Sequence, residues 1–360
     1  MSDPSAAPLP RRVSMESIAQ ELGVSVATIS RALNGKPGIS GELRAKVEER
    51  LKAHAYHPRR SRPVSERGSS RVHTVAFVVS DDLLTRITQG DDFYGRHLVA
   101  VQKAISDAGL YPLLIGYQQD LDENGMLRCV AEKRVQAIIG ESWSPELAER
   151  IAKEVPVVLF NRTSSSAIVD TIATDIHAAT QEQLEHLYDL GHRRFGAFRI
   201  TPPACGWENT CFWQQYFSFH MERGLPLPPE WLEPVRFGQG EHEEAAVRYV
   251  ERMLSRPQRP TALLTYDHYA EALIHALEAK GLSVPGEMSV VGFNDLKTTP
   301  DHIVPLTTYR QDFDKMAAEA LRLVLDRQAN RDVYPRLVRL AGRLIVRQSA
   351  VPPPPQGRAE

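Results

Sequence analysis

Cysteine is scarce in this 360-residue chain, which has only Cys129, Cys205 and Cys211. Three cysteines cannot all pair into a disulfide framework, and no two have the close spacing of a metal-ligand set. Reduced thiols in a cytosolic protein are the expectation. Long apolar runs are missing as well: no stretch approaches the ~18 apolar residues of a membrane span. The opening MSDPSAAPLPRR lacks the apolar core of an export signal. It reads as a disordered leader over residues 1–12, and no membrane partner is expected. There is no G-x-S-x-G elbow and no phosphate loop. Together these absences exclude export, membrane spanning and the commonest hydrolase and nucleotide chemistries. No cofactor and no metal are expected.

Histidines and acids are present in number, among them His177, Glu182, Glu185, His186 and His192. Glu182, Glu185 and His186 fall close together on one amphipathic helix, where a solvated polar face is the simpler reading. An enzymatic α/β protein is therefore the weaker alternative. The tail VPPPPQGRAE, residues 351–360, is proline-rich and expected to be unstructured. It carries no leucine heptads, so no helical tetramerisation tail is expected.

Charge is unevenly shared. The formal net charge is −2, yet residues 1–72 carry 13 Lys and Arg against 7 Asp and Glu, and the remainder 30 against 38. A basic head on an acidic body suits a polyanionic partner for the head alone. At 360 residues, two or three domains are expected.

Residues 15–34 read MESIAQELGVSVATISRALN, the layout of a helix-turn-helix. Ile18, Ala19 and Leu22 share one apolar stripe at helical spacing. Gly23 ends the first helix where a left-handed residue fits at least cost, and Ser25 is a natural cap for a second helix from Val26 to about Leu33. Ala27 and Thr28 point outward near the start of that helix, the part that meets base edges in such motifs. Asn34 to Ser40 is a turn ending in another cap serine, Glu42 to Ala55 makes a third amphipathic helix, and Tyr56-His57-Pro58 closes the unit.

From Val13 to Pro58 the run VSMESIAQELGVSVATISRALNGKPGISGELRAKVEERLKAHAYHP closely resembles the DNA-binding headpiece of the LacI/GalR family of bacterial repressors. The resemblance implies base readout by Val26, Ala27 and Thr28 through thymine methyls, and by Arg31 through guanine or phosphate. Ser14, Ser25, Ser30, Asn34 and Ser40 become candidates for phosphate contacts that fix register. Tyr56, Arg59 and Arg60 join the DNA-facing set. Residues 59–73 are polar, basic and linker-like. In the family this stretch forms a hinge helix on DNA, and paired hinges wedge an apolar side chain into the minor groove. Here the wedge position holds Ser65, with Val64 beside it, and Pro63 stands where a helix interior would be. Either Val64 takes the wedge role or the hinge stays irregular.

From Thr74 onward, buried strands alternate with helices. VAFVVS, YPLLIGYQ, QAIIG and PVVLFN form a first series, with helices over Arg96 to Ala108, Gly125 to Lys133 and Pro145 to Lys153. A strand near 172–174 then restarts the rhythm. FGAFRI, ALLTY and MSVVGFN follow, with helices over Ala178 to Leu190, Phe212 to Arg223 and His268 to Lys280. A helix over Gln311 to Gln328 and a strand LIVRQSA (344–350) end the series. Apolar runs separated by helices imply parallel sheets covered on both faces. The resemblance continues through Leu190-Gly-His-Arg-Arg, the run from Val284 to Asp295 and Pro305-Leu-Thr-Thr. It implies a two-lobed, periplasmic-binding-protein-like (type I) α/β core over residues 74–350, behind an all-α helix-turn-helix headpiece at 13–58. The first lobe is expected over about 74–170 and 301–330, the second over about 171–300 and 331–350.

Ligands of open parallel sheets bind at the carboxyl ends of strands, here between the lobes. Phe93 and Tyr94 align with the family segment whose aromatics line the effector pocket, and the preceding loop, residues 82–90, is about five residues longer than usual in the resemblance. Asn161 and Arg162 end the fourth strand and Asp175 the fifth. Three polar anchors usual in sugar- and purine-responsive members are replaced by Phe212, Tyr266 (with Asp267 following) and Asn294 (leaving Asp295). The cleft is thus more aromatic and less charged. Either the effector stacks, as a sugar or glycoside would, or small-molecule control has been lost. The expected whole is a cytoplasmic, homodimeric DNA-binding transcription repressor reading a pseudo-palindromic operator in double-stranded DNA. A solute-binding protein would need export and would not carry the headpiece.

Overall fold

A computed structural model describes residues 74–117, 123–141, 145–162, 166, 168–200, 206–235, 242–297, 304–331 and 334–355, and positions 19, 21–25, 28, 29, 40, 43, 46, 47 and 50 nearer the N-terminus. The chain divides into two units, Met1–Arg71 and Val72–Glu360.

In the first unit the turn has the expected local chemistry. Gly23 takes φ +64°. The Thr28 amide donates to Ser25 Oγ at 3.1 Å, and the Leu43 amide to Ser40 Oγ at 3.3 Å. Each serine thus satisfies an orphan donor of a helix start. Ala19, Ile29 and Val47 are buried, so the three helical segments each contribute to an apolar interior. Ser14, Val26, Ala27, Ser30, Arg31, Asn34, Tyr56, Arg59, Arg60 and the hinge residues Pro63, Val64 and Ser65 lie outside the described residues.

Among its described residues the second unit contains two six-stranded sheets. In the first, β1 (Thr74–Ser80), β2 (Tyr111–Tyr117), β3 (Ala137–Gly140), β4 (Val157–Phe160), β5 (Asp170–Thr174) and β11 (Leu337–Leu340) run in the order β2-β1-β3-β4-β5-β11. Every pairing in it is parallel. The second repeats the pattern as β7-β6-β8-β9-β10-β12, from β6 (Phe195–Ile200), β7 (Leu232–Val235), β8 (Ala262–Thr265), β9 (Ser289–Phe293), β10 (Thr307–Arg310) and β12 (Arg343–Ile345). Only the β10–β12 pairing is antiparallel.

Successive side chains of a strand face opposite sides, so a parallel sheet needs cover on both. Val75, Phe77 and Val79 of β1 pack under α1 (Asp81–Thr88), α2 (Asp92–Asp107) and α9 (Phe313–Ala329). Ala76 and Val78 pack on the other face with α3 (Glu123–Lys133) and α4 (Pro145–Ala152). In the second sheet, Ala197 lies with α5 (Ile176–Asp189) and α6 (Gly206–Arg223), and Phe198 with α7 (His242–Leu254) and α8 (Asp267–Ala279). Each large apolar side chain so enclosed contributes about 1.5–3 kcal/mol.

Several expectations are corrected. Residues 82–90 are not an extended loop: Ser80 caps α1, accepting from the Leu83 amide, and Leu83 is buried against the first sheet. The extra length is spent on two helical turns with their own apolar face. The division into lobes also differs. Strand β5 and strand β11 belong to the first sheet, while β10 belongs to the second. The chain therefore crosses between lobes after β5, between β10 and α9, and between β11 and β12. Strands β7 and β11 and helix α7 complete the pattern beyond the elements expected. Both strands are four-residue edges with one neighbour each, which is why neither shows a buried run.

The tail is fixed at its start rather than unstructured from 351. Val351 exchanges two bonds with Ser289, each 3.0 Å, and its carbonyl accepts from His192 Nε2 at 2.9 Å. Residues 356–360 lie outside the described residues. His192, whose Nδ1 meets Thr261 Oγ1 at 2.8 Å, is held below its ordinary pKa by burial, as are His220 and His186. A depressed histidine binds its proton more readily when unfolded, so its contribution is present above the ordinary value of 6.5 and is lost as pH falls below it. The thermal midpoint is expected to drop between pH 7.5 and 5.5, with a limiting slope of about 1.4 kcal/mol per pH unit for each of His192 and His220. Scanning calorimetry across that range checks it; a midpoint that rose on acidification would contradict the assignment.

Candidate effector cleft and DNA-binding unit

The lobes of the second unit meet at the carboxyl ends of their strands. The contact is made by the start of α2, where Asp91 caps the helix by accepting from the Phe93 amide at 3.1 Å. Arg96, held by Asp92 at 3.2 Å, donates to the Asn294 carbonyl at 2.6 Å across the cleft. His268 Nε2 lies 3.7 Å from Asp91 Oδ1, and its ring meets that of Phe93 with centroids 6.3 Å apart. Burial works to raise the Asp91 carboxyl, but His268, Arg86 and the Phe93 amide outweigh it and hold it low.

On the first lobe's side, Phe93 and Tyr94 stand 5.0 Å apart edge to face. Both also contact His97, which the sequence reading missed. Its ring lies 4.5 Å from Phe93 and 4.1 Å from Phe313, and its Nδ1 is 2.6 Å from Glu141 Oε1. Asn161 turns the chain at the end of β4 with φ +51°. Arg162 continues the pairing through its amide to the Ile172 carbonyl at 3.2 Å. Asp175 is spent on structure, capping α5 by accepting from the Ala178 amide at 3.1 Å.

On the second lobe's side, Phe212 and Tyr266 do come together, with Arg199 between them. The guanidinium of this fully buried arginine lies 4.1 Å from the Phe212 ring centroid, 4.0 Å from Tyr266 and 5.1 Å from Phe293. Its Nη1 donates to the Thr265 carbonyl at 3.2 Å. A cation over aromatic faces gains about 2 kcal/mol or more once desolvated. Phe212, expected to face the cleft in place of a polar anchor, is thus not open to it. It is a core residue, and the positive charge is supplied from strand β6 instead. The one hint in the sequence was a lone arginine inside the strand run FGAFRI.

The acids expected to hold a ligand are committed elsewhere. Asp267 accepts from the Leu296 amide at 2.8 Å and the Thr308 hydroxyl at 2.7 Å, and burial pushes its carboxyl up. Asp295 is paired with Arg310 and Arg347, each at 2.5 Å; burial would raise it, but the two arginines hold it low. Asn294 Oδ1 accepts from Gln311 at 2.8 Å, and Gln311 also bonds Thr174. These groups tie the interlobe crossovers together. Glu182 and Glu185 are exposed: Glu182 accepts from the Leu344 amide and Glu185 from Gln181, as a polar helix face would. Among the described residues no cluster of three potential metal ligands occurs, and no helix is long and apolar enough to cross a membrane.

Comparison with known proteins agrees with both units. Residues 14–59 match the family model described as bacterial regulatory proteins, lacI family, and residues 184–350 match the periplasmic binding protein-like domain. The HTH-type transcriptional regulator GalR of Escherichia coli K12 is 27% identical over 94% of this chain and 96% of its own. Catabolite control protein A of Priestia megaterium is 25% identical over 94% and 99%. Among solved structures, a lac repressor dimer bound to operator and the anti-inducer ONPF superposes with TM-score 0.67 at 20% identity, covering 95% of this chain and 100% of that one. These relatives are regulators, not enzymes. With a helix-turn-helix unit preceding a doubly repeated α/β core, the chain belongs to the LacI/GalR family of bacterial transcription regulators.

Proposed function

We propose that the protein is a homodimeric repressor that reads a pseudo-palindromic operator and is controlled by a neutral carbohydrate held between its lobes. The observation that carries the effector reading is the make-up of the cleft. Half-buried rings stand near the strand ends of both lobes, Phe93 and Tyr94 on the first and Tyr266 on the second, while Asp267, Asn294 and Asp295 are already bonded within the protein. Aromatic faces suit the apolar faces of sugar rings, and few charges are left for an ionic ligand. A related structure is described as a cellobiose complex of the regulator CelR, with TM-score 0.64 at 23% identity, covering 94% of this chain and all of that one. The role is binding rather than catalysis, in the bacterial cytoplasm and at the nucleoid when DNA is bound.

In the headpiece, Val26, Ala27, Thr28 and Arg31 are the proposed base readers. Ser14, Ser25, Ser30, Asn34 and Ser40 are assigned to phosphates, and Tyr56, Arg59, Arg60 and Val64 to the flank and minor groove. Ser25 and Ser40 cap helices and are exposed, so their amide neighbourhoods suit phosphate oxygens. Arg31→Ala is expected to weaken specific binding by about 1–3 kcal/mol. Fluorescence anisotropy on operator DNA measures it, and unchanged affinity would remove Arg31 from the reading set.

A thermal-shift screen of the full chain against sugars, glycosides, sugar phosphates and nucleobases tests the effector reading. Ligand at about 100 times its Kd stabilises by about 2.7 kcal/mol. A shift with neutral sugars is expected. A flat screen with operator binding intact would favour the second reading, a regulator without small-molecule control, which the full burial of Phe212 and Arg199 favours.

A further inference from the structure

The crossovers join the lobes along one side, at the β5–β11 edge of the first sheet and the β10–β12 edge of the second. A hinge on one side leaves the other side free to part unless something holds it. The start of α2 does so. It follows β1, which stands three strands in from β5.

Two contacts are made there, of different chemistry. In the first, Arg96 Nη2 donates to the Asn294 carbonyl at 2.6 Å, while Asp92 steadies Arg96 at 3.2 Å and accepts from the Lys297 amide at 3.5 Å. The backbone so gripped is rigid. The Asn294 amide donates to the Tyr309 carbonyl at 2.9 Å and the Asp295 amide to Thr308 Oγ1 at 3.3 Å, with φ at +114° and +51°. Such angles persist in non-glycine residues only where the surroundings over-determine them. None of the groups in this contact changes charge near neutral pH.

The second contact does contain such a group. His268, in the first turn of α8, has Nε2 3.7 Å from Asp91 Oδ1, and the two side chains are 34% and 12% exposed. Arg86 of α1 lies 3.6 Å from the other oxygen, Oδ2, so the two cations address separate atoms of one carboxylate. Among the described residues, Arg86 opposes a charge on His268, while Asp91 and, on its own helix, Asp267 favour it. Burial works to raise Asp91, but His268, Arg86 and the Phe93 amide hold it low, so it stays a carboxylate through the neutral range. Histidine is the side chain that gains charge there.

We propose that His268 and Asp91 form a proton-sensitive clasp between the lobes, set beside the pH-independent bond from Arg96 to Asn294. A charged imidazole meets its counter-ion only while the lobes are together, so protonation moves the open–closed equilibrium toward closed. Partial exposure holds the gain to about two- to fivefold in the closed-to-open ratio. The clasp acts without effector. A ligand that selects closed lobes then binds more tightly on acidification, by the same factor.

The test measures lobe separation in the effector-free full chain by electron–electron spin resonance. Labels go on Glu132→Cys of α3 and Gln214→Cys of α6, both exposed and both near the sheet edges opposite the crossovers, where closure displaces most. Cys129 and Cys205 are replaced by serine, and labelled chain is diluted into unlabelled chain to suppress distances between protomers. The interlobe distance is expected to be shorter and more narrowly distributed at pH 6 than at pH 8. His268→Gln and Asp91→Asn, the latter keeping a cap residue for α2, should each abolish the pH response. Arg96→Gln should widen the distribution at both pH values and keep the response. Should a variant fail to fold, the wild-type comparison still decides. An interlobe distance equal at pH 6 and pH 8 in wild type overturns the clasp, as does a pH response that survives in His268→Gln.

Discussion

Asp170→Asn is expected to cost about 3–5 kcal/mol, the largest stability loss of any substitution proposed here. Asp170 opens β5 and is fully buried. It receives Arg327 through two bonds, 2.9 and 2.8 Å, and Arg336 through its amide at 2.7 Å and its guanidinium at 2.9 Å. Burial alone would raise this carboxyl; the two arginines outweigh it and hold it low. One side chain thus joins β5, the end of α9 and the entrance to β11. Asparagine keeps the shape but turns an N–H₂ toward a guanidinium and leaves Arg327 buried without its counter-charge. Urea unfolding at pH 7 measures the loss. A change below about 1 kcal/mol would show that water reaches the arginines. Breaking a buried pair differs from replacing it, so Asp170→Leu combined with Arg327→Met should recover much of the stability.

Gly342→Ala is the second, with an expected cost of about 1–3 kcal/mol from overpacking. Gly342 lies on the crossover from β11 to β12, and its amide donates to the Tyr309 hydroxyl at 2.7 Å. A Cβ at this position would run into the Arg310 carbonyl, with the Tyr309 ring 2.8 Å away. The carbonyl belongs to β10, which cannot yield without disturbing its sheet. The Leu340 carbonyl at the start of this crossover accepts from the Asp175 amide at 2.9 Å, so two of the three interlobe crossovers are bonded here. Tyr309→Phe removes only the hydroxyl and should cost about 1 kcal/mol. Measured side by side, the alanine variant should be the less stable and should respond differently to effector, because the strand it displaces joins the lobes. Equal stability of Gly342→Ala and wild type would show the crossover to be loose.

What could be read in the chain before folding was local. Gly23, Ser25 and Ser40 declare a helix end and two helix starts because each acts on amides within three residues of itself. The alternation of strand runs with amphipathic helices is likewise a short-range pattern, and it sufficed for a headpiece ahead of a parallel α/β core. The family resemblance singled out Phe93, Tyr94, Phe212 and Tyr266. What they touch it did not show.

The pairings that organise the cleft join residues far apart in sequence. His97 meets Glu141 across 44 positions, Arg199 meets the Thr265 carbonyl across 66, and Asp170 meets Arg327 across 157. No window of sequence contains both partners, so a lone histidine on an apolar helix face or a lone arginine in a strand carries no mark of its use. The same holds for the lobes. Strand β5 has the same apolar look whichever sheet it joins, and its pairing with β4 and β11, under the packing of α9, places it in the first. Local pattern was enough for the kind of elements, the DNA-binding unit and the doubled core. Which lobe each late strand serves, and which polar groups are already bonded within the protein, emerge on folding, because both depend on contacts closed only when distant segments meet.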